Sequence, residues 1–395
     1  MTGSLRAYAV SPLLPYAFTP LPDYVASQPE LTALLGRLRR EPVLAMDTEA
    51  ASFHRYHDRI YLIQVSTRTE TAIIDPLAVP DLAELGSLLG DAAIEVVFHD
   101  ADYDLRLFER QYGFHAARIF DTRVAAELLN EPGLSLAALL ERYLGVHVDK
   151  RFQRADWSAR PLSPEMLAYA ASDTSHLVAL RDILADKLVA AGRMEWALEE
   201  FDAMTDVRWA PDDGREPGWL RIKGARALSP RKLAILQALY AWREEVADRT
   251  DRAEFRILGN EAMLAIAENP PETIEALGAI KGVGRESVER RGPTILAAVR
   301  KAEKIPDQDL PRLERPPRRA REPEVEARLA RLKAARAAFT ARLALEPGVI
   351  CPNAVLDAIA RRVPTTLDQL REIPGLRRWQ VETFGEELLA AIRTP

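Results

Sequence analysis

The 395-residue chain reads as a mixed α/β domain, a sheet flanked by helices, followed by two all-α units. Three observations predict this. Up to about residue 200, strand-like apolar runs alternate with segments of helical periodicity. Beyond about residue 225 the pattern is almost wholly helical. Within that second half, 260–299 lies on 353–392 at a shift of 93 residues without a gap, identical at 16 of 40 positions. One small helical unit therefore occurs twice.

Each element follows from local pattern. Residues 1–28 carry four prolines in AYAVSPLLPYAFTPLP and no basic run ahead of them, so they read as an irregular arm and not as a signal peptide. Strands are expected over 43–49, 60–66, 71–75, 94–99 and 118–120. The first three are joined by links too short for a crossover helix, so they should be antiparallel neighbours. The later ones alternate with helices near 101–112 and 122–129 and should pair in parallel. Helices near 135–144 and 164–191 close the domain, the last opening with Ser163-Pro164-Glu165, an N-cap followed by proline. The expected divisions are an arm at 1–28, an α/β domain at 29–205, a Pro/Gly/Asp-rich linker at 206–225, a first helical domain at 226–305, a proline-rich charged linker at 306–321, and a second helical domain at 322–395.

Composition narrows the class. At 48% hydrophobic and 28% charged residues the chain is ordinary globular protein, with no uncharged stretch long enough to span a bilayer. A single cysteine, Cys351, excludes an intramolecular disulfide and a cysteine-based zinc site, which fits a reducing cytoplasm. Residues 1–222 hold 22 Lys+Arg against 34 Asp+Glu, a balance of −12, and the remainder holds 31 against 25, a balance of +6. A basic half beside an acidic one fits either a polyanion partner or a solvated helical surface.

The chemistry-bearing residues are acids. Strand alternation puts Asp47 and Glu49 on one face at the end of a strand, where two carboxylates can share metal ions. Helical spacing puts Tyr169 and Asp173 on one stripe. In HDADYD, Asp100 fits an N-cap and Asp102 the first turn, while Asp104 lies one turn on and can face the sheet end. Four acids in one cleft repel one another and need cations, and two-metal phosphodiester hydrolysis uses such a set. Taken singly, each motif also fits a structural role: a solvated strand end, capping acids, a half-buried tyrosine.

Order, spacing and flanking residues together resemble the DEDD superfamily of 3′–5′ exonucleases, in its tyrosine branch, over about residues 29–200. Asp47 and Glu49 match the Asp-x-Glu motif. Asp104 follows His99 by five residues, as the second motif requires. Tyr169 and Asp173 match Tyr-x-x-x-Asp, and Ala168 stands where the histidine branch needs its histidine. LAMDTEAASFHRYHDRIYLIQVS, IFDTRVAAELL and DWSARPLSPEMLAYAASDT are similar to the ribonuclease D group, and the repeated units resemble the HRDC domain. The resemblance implies a ribonuclease H-like fold and release of 5′-mononucleotides from RNA 3′ ends. It also implies Asp47, Glu49, Asp104 and Asp173 as ligands of two Mg²⁺ or Mn²⁺ ions, with Tyr169 orienting the attacking water. The expected partners are RNAs with free 3′ ends, tRNA precursors above all, with no membrane and no obligate protein partner.

Weaker candidates surround this set. Thr48 could present its amide to the terminal nucleotide, Gln64 could line the site, and Phe53 or Trp157 could stack on a base. Lys281, Gly282, Gly284 and Arg285 form a hairpin suited to phosphate, or a turn between packed helices, as does 374–378 in the second copy. That copy has Pro374 in place of Lys281 and Arg377 in place of Gly284, so the two need not bind alike. A DNA 3′–5′ exonuclease and a catalytically dead nucleic-acid adaptor are the competing readings.

Overall fold

Alternation along one strand decides the layering. The structure, a computed structural model, describes residues 22–211, 214, 216–313 and 322–393. In β2 (Val43–Ala50), Leu44 and Met46 point into one core and Ala45 into another. The first core is closed by α1 (Gln28–Leu38), α2 (Ala83–Leu89) and α3 (Asp102–Tyr112). The second is closed by α4 (Thr122–Leu128), α5 (Leu136–Leu144), α7 (Leu177–Ala190) and α8 (Met194–Met204). With β1 (Asp23–Val25), β3 (Ile60–Ser66), β4 (Thr71–Ile74), β5 (Glu95–Phe98) and β6 (Ile119–Asp121), the sheet runs β1-β4-β3-β2-β5-β6. As expected, β2, β3 and β4 pair antiparallel and β2, β5 and β6 pair parallel.

Three expectations change. Residues 23–25 are not part of an irregular arm: they form edge strand β1, parallel to β4, with Tyr24 donating from its hydroxyl to Asp75. Residues 1–21 lie outside the described residues. The helix expected over 164–191 is two, α6 (Pro164–Ser172) and α7, because the polar run after Ser172 is drawn into the sheet. There Thr174 is fully buried and its hydroxyl meets Ser66 Oγ at 2.7 Å, which in turn meets Thr71 Oγ1 at 2.8 Å. Finally, 216–225 is not a free linker, since Ile222 and Ala225 are buried in the first helical unit. Residues 314–321 of the second expected linker lie outside the described residues.

The two helical units repeat one plan. The first comprises α9 (Pro230–Thr250), α10 (Glu254–Ile257), α11 (Asn260–Glu268), α12 (Ile274–Gly278) and α13 (Arg285–Glu303). The second comprises α14 (Pro323–Leu343), α15 (Pro347–Ile350), α16 (Asn353–Arg362), α17 (Leu367–Arg371) and α18 (Arg378–Arg393). Their attachments differ. The second shares a continuous core with the α/β region, while the first keeps its own. Trp379 stacks on Trp196 with ring centroids 4.5 Å apart. Glu200 accepts from Trp379 Nε1 at 3.0 Å and Arg377 Nε at 2.9 Å, and Glu199 accepts from the amides of Arg378 and Trp379.

In the 374–378 hairpin Arg377 is turned onto Glu200, while Arg378 stays exposed with its guanidinium 3.9 Å from Glu199. Trp379→Ala should therefore cost about 3–5 kcal/mol, the scale for truncating a buried aromatic, read as a lower urea midpoint and faster proteolysis of the second unit. Arg285→Ala, on an exposed side chain of the first unit, should stay within about 0.5 kcal/mol.

Candidate active site

The four acids meet where β2 ends. Asp47 and Glu49 share its face, and a register shift between Glu49 and Ala50 bends the strand there. Asp104 arrives from the first turn of α3, a helix packed on the opposite face, and must reach round the strand. Thr48 holds it in place. That side chain points to the α3 side, and its hydroxyl donates to Asp104 Oδ1. Asp173 comes from the junction of α6 and α7, pinned through its neighbour Thr174.

The environment is hostile to negative charge. Burial, then Asp104, Asp173 and Glu49, push the Asp47 carboxyl well above the ordinary range. Burial, then Asp173 and Asp104, do the same to Glu49. Burial lifts Asp104 to about 7, against the lowering effect of the Thr48 hydrogen bond, and lifts Asp173 to about 7. The neighbouring side-chain charges that act most strongly on Asp47 and Glu49 are all negative.

Tyr169 completes the cluster. Burial, then Asp173, Glu49 and Asp47, push its hydroxyl far above the usual phenol range, so it stays protonated. Its ring stacks on Trp157 at 5.9 Å and meets Phe152 edge-on at 5.9 Å. The loop that carries Trp157 is tied to the sheet by Arg160, whose guanidinium donates to Asp75 at 2.6 and 2.8 Å and to the Tyr61 carbonyl at 2.9 Å.

The weaker candidates divide. Trp157 is 1% exposed and serves as backing for Tyr169, not as a base platform. Thr48 is also buried, and its hydroxyl is committed to Asp104. Gln64 stands directly opposite Asp47 in the β2–β3 pair, on the same face and fully buried. Neither polar atom of its amide has a hydrogen-bond partner. Lys281, Gly282, Gly284 and Arg285 are not part of the acid cluster. They form an exposed turn before α13, with Gly282 at φ +91°, where glycine is favoured. Gly282 lines a groove of about 510 Å³ shared with Ser52, Arg55 and Tyr56, from the loop that follows β2.

Sequence reading missed Asp121. It is fully buried, caps α4 by accepting from the amides of Arg123 and Val124, and accepts from the Ala101 amide at 2.8 Å. It thereby does the capping expected of Asp100, which instead sits exposed at φ +68° and 3.6 Å from Arg123. The available signal was Asp-Thr at a strand-to-helix junction.

Divalent cations fit this donor set. All four acids offer hard oxygen ligands, their charge lacks internal compensation, and the orphaned amide of Gln64 faces the same side. Among the described residues, no three His, Cys, Asp or Glu side chains are already drawn together closely enough to hold an ion.

The raised carboxyls have a sign-definite consequence. An unfolded aspartate titrates near about 4, so between about 4 and 7 the folded chain binds more protons than the unfolded one. The stabilisation is full below that window and lost as pH rises through it. In chelator, the part of Tm that depends on these acids should fall from about pH 5 to pH 8, and Asp173→Asn should flatten that slope relative to the parent chain.

Comparison with known proteins agrees with the geometry. Residues 22–189 match the 3′–5′ exonuclease family, and 232–299 and 325–392 each match the HRDC domain. A ribonuclease D of Gluconacetobacter diazotrophicus is 35% identical over 375 residues, 94% of this chain and 93% of its own. A crystal structure of a protein from Bifidobacterium adolescentis superposes with a TM-score of 0.79 at 25% identity, covering 95% of this chain and 97% of that one. Escherichia coli RNase D, described as an exoribonuclease involved in structured RNA processing, superposes with a TM-score of 0.66 at 25% identity, covering 94% and 98%.

Proposed function

Because the chain belongs to the ribonuclease D family and is a 3′–5′ exoribonuclease, we propose that it releases 5′-mononucleotides from tRNA precursors using two divalent ions, Mg²⁺ or Mn²⁺. The observation that carries this reading is the gathering of Asp47, Glu49, Asp104, Asp173 and Tyr169 in one half-buried cluster whose strongest charged neighbours are one another. The four acids would hold the ions. When bound, such ions supply activation of water and stabilisation of the leaving oxygen. Tyr169 orients that water through its hydroxyl and, staying protonated, does not take its proton. The Trp157 and Phe152 rings fix the phenol, and Thr48 fixes Asp104. A cytoplasmic setting fits the single buried Cys351, and no helix among the described residues is long and apolar enough to cross a membrane.

The deciding experiment is a 3′-end time course on a tRNA precursor, with Mg²⁺, Mn²⁺ and EDTA compared and a matched DNA strand as the second substrate. Stepwise shortening of RNA with divalent ions and none in EDTA is the expected result. Equal rates on DNA would move the reading to a general exonuclease.

Asp47→Ala should lower the rate by 10²-fold or more, a loss typical of a metal ligand or a group supporting one. Its melting temperature in chelator should be unchanged or higher, since a repelling charge is gone. Retention of a tenth of the rate would exclude the metal role. For Tyr169→Phe we expect roughly 10²-fold, or 2–3 kcal/mol, off kcat. Its apparent Mg²⁺ affinity should be unchanged, and a weakened Mg²⁺ titration with normal saturated rate would assign Tyr169 a structural role.

The exposed turn of the first helical unit contributes grip. Lys281→Glu with Arg285→Glu should weaken binding of a tRNA precursor and flatten the salt dependence, by roughly 0.7–0.9 in slope for each phosphate no longer neutralised. Unchanged affinity and slope would remove this turn from the RNA path.

A further inference from the structure

Two large aromatic side chains stand exposed where the α/β region meets the first helical unit. Phe53 is 41% exposed and Phe255 53%. Phe53 lies in the loop after β2 and Phe255 in α10, more than two hundred residues apart in sequence, yet their ring centroids lie 5.8 Å apart in an edge-to-face pair. The contact is held from behind. Arg256 Nε donates to the Phe53 carbonyl at 2.5 Å, and the Ala253 amide donates to the His54 carbonyl at 3.1 Å. Asp251 Oδ1 accepts from the amides of Tyr56 and His57, and Tyr56 Oη donates to Glu244. The rings are thus exposed at a rigid junction.

Unpaired positive charge flanks them. The Arg154 guanidinium lies 4.9 Å from the Phe53 ring centre, and that of Arg256 lies 5.8 Å from the Phe255 ring centre. Both arginines are exposed, and among the described residues neither has a carboxylate partner. Most of their neighbours are matched: Arg243 pairs with Glu254, Arg252 with Glu286, and Arg55 lies 4.0 Å from Asp156.

Position links the pair to the acids. Phe53 follows Glu49 by four residues, and Arg154 follows Phe152, whose ring touches Tyr169. Phe255 lines the groove that holds Gly282 and Ser52. Carboxylates lining that groove are partly occupied: Glu254 is paired with Arg243, and Asp58 accepts from Tyr103, while Glu261 is exposed.

We propose that Phe53 and Phe255, flanked by Arg154 and Arg256, form a stacking platform for a nucleotide of single-stranded RNA upstream of the 3′-terminal residue. This rests on the exoribonuclease reading above. The rings take the face of a base, and the guanidiniums take the adjoining phosphates. Because one ring comes from each region, the platform exists only while the first helical unit is docked. That unit thereby acts on single strands beside the acids, in addition to any grip on structured RNA.

The test measures binding of RNA 2-mers and 8-mers to the full-length chain by fluorescence anisotropy in EDTA, with hydrolysis followed separately in Mg²⁺. Phe53→Ala with Phe255→Ala should lower the 8-mer affinity by roughly 5- to 150-fold, the range for losing a stacked base. The ratio of 8-mer to 2-mer affinity should fall with it. Phe53→Trp should keep or raise the affinity, and Arg154→Gln should flatten its salt dependence. Circular dichroism melting confirms that each variant is folded. An unchanged 8-mer to 2-mer ratio in the folded double variant would overturn the platform, as would a Phe53→Trp chain that binds as weakly as Phe53→Ala. A parent chain that binds the 8-mer but hydrolyses nothing in Mg²⁺ would sink the exoribonuclease reading, and the binding ratio would still decide the platform.

Discussion

Four carboxylates forced together at the end of one strand are the constraint on which the rest of the structure depends. Asp104 is buried and Asp47, Glu49 and Asp173 are half-buried, and loss of solvent raises the cost of ionising each. Left to themselves, such side chains would turn to solvent. They stay because every one is carried on backbone that is fixed elsewhere. β2 is central, paired to β3 on one side and β5 on the other. Asp104 is held through Thr48, and the loop before it is held through Asp121. Asp173 is held through the hydroxyl chain Thr174–Ser66–Thr71. The stability of the scaffold offsets the repulsion among these carboxylates.

The same logic explains the long segment between α5 and α6. It looks like a loop, but it delivers Trp157 and Phe152 to the Tyr169 ring and is anchored by Arg160 on Asp75. Asp75 also accepts from Tyr24 of the edge strand β1. A network from the sheet edge therefore ends at the phenol. Burial of Asp75 is tolerated because a guanidinium faces it bidentately, whereas among the described residues Asp47, Glu49, Asp104 and Asp173 form no ion pair.

Two copies of one helical unit have been put to two uses. The second is fused to α8 through Trp379 and the pair Glu199 and Glu200, and its Arg377 is consumed in that contact. The first docks through a smaller, more polar contact on the loop that follows β2, and its hairpin remains exposed. The replacement of Lys281 by Pro374 and of Gly284 by Arg377 between the copies marks this division of labour. The docked first unit places Phe255 against Phe53 on the loop that follows β2, while the second extends the hydrophobic core.

By itself, the sequence determined the class of the protein and its chemistry. Strand alternation at Asp47 and Glu49, helical spacing at Tyr169 and Asp173, and the 93-residue repeat are all local patterns, and local patterns survive in one dimension. What only the tertiary structure decided were properties that depend on partners far away in the chain. Trp157 looked available to substrate until its ring was seen to back that of Tyr169. The 374–378 hairpin looked like a phosphate site until α8 was seen to neutralise it. Residues 23–25 looked irregular because three residues carry too little pattern, and β4 makes them a strand. Asp121 looked like one acid among many until Ala101 was brought alongside, and Phe53, a candidate base platform by type, gained Phe255 as its neighbour only in the fold. The physical reason is common to all of them: a side chain's type and spacing are written locally, but whether its hydrogen bonds, charge or ring face are already engaged depends on contacts that only folding creates.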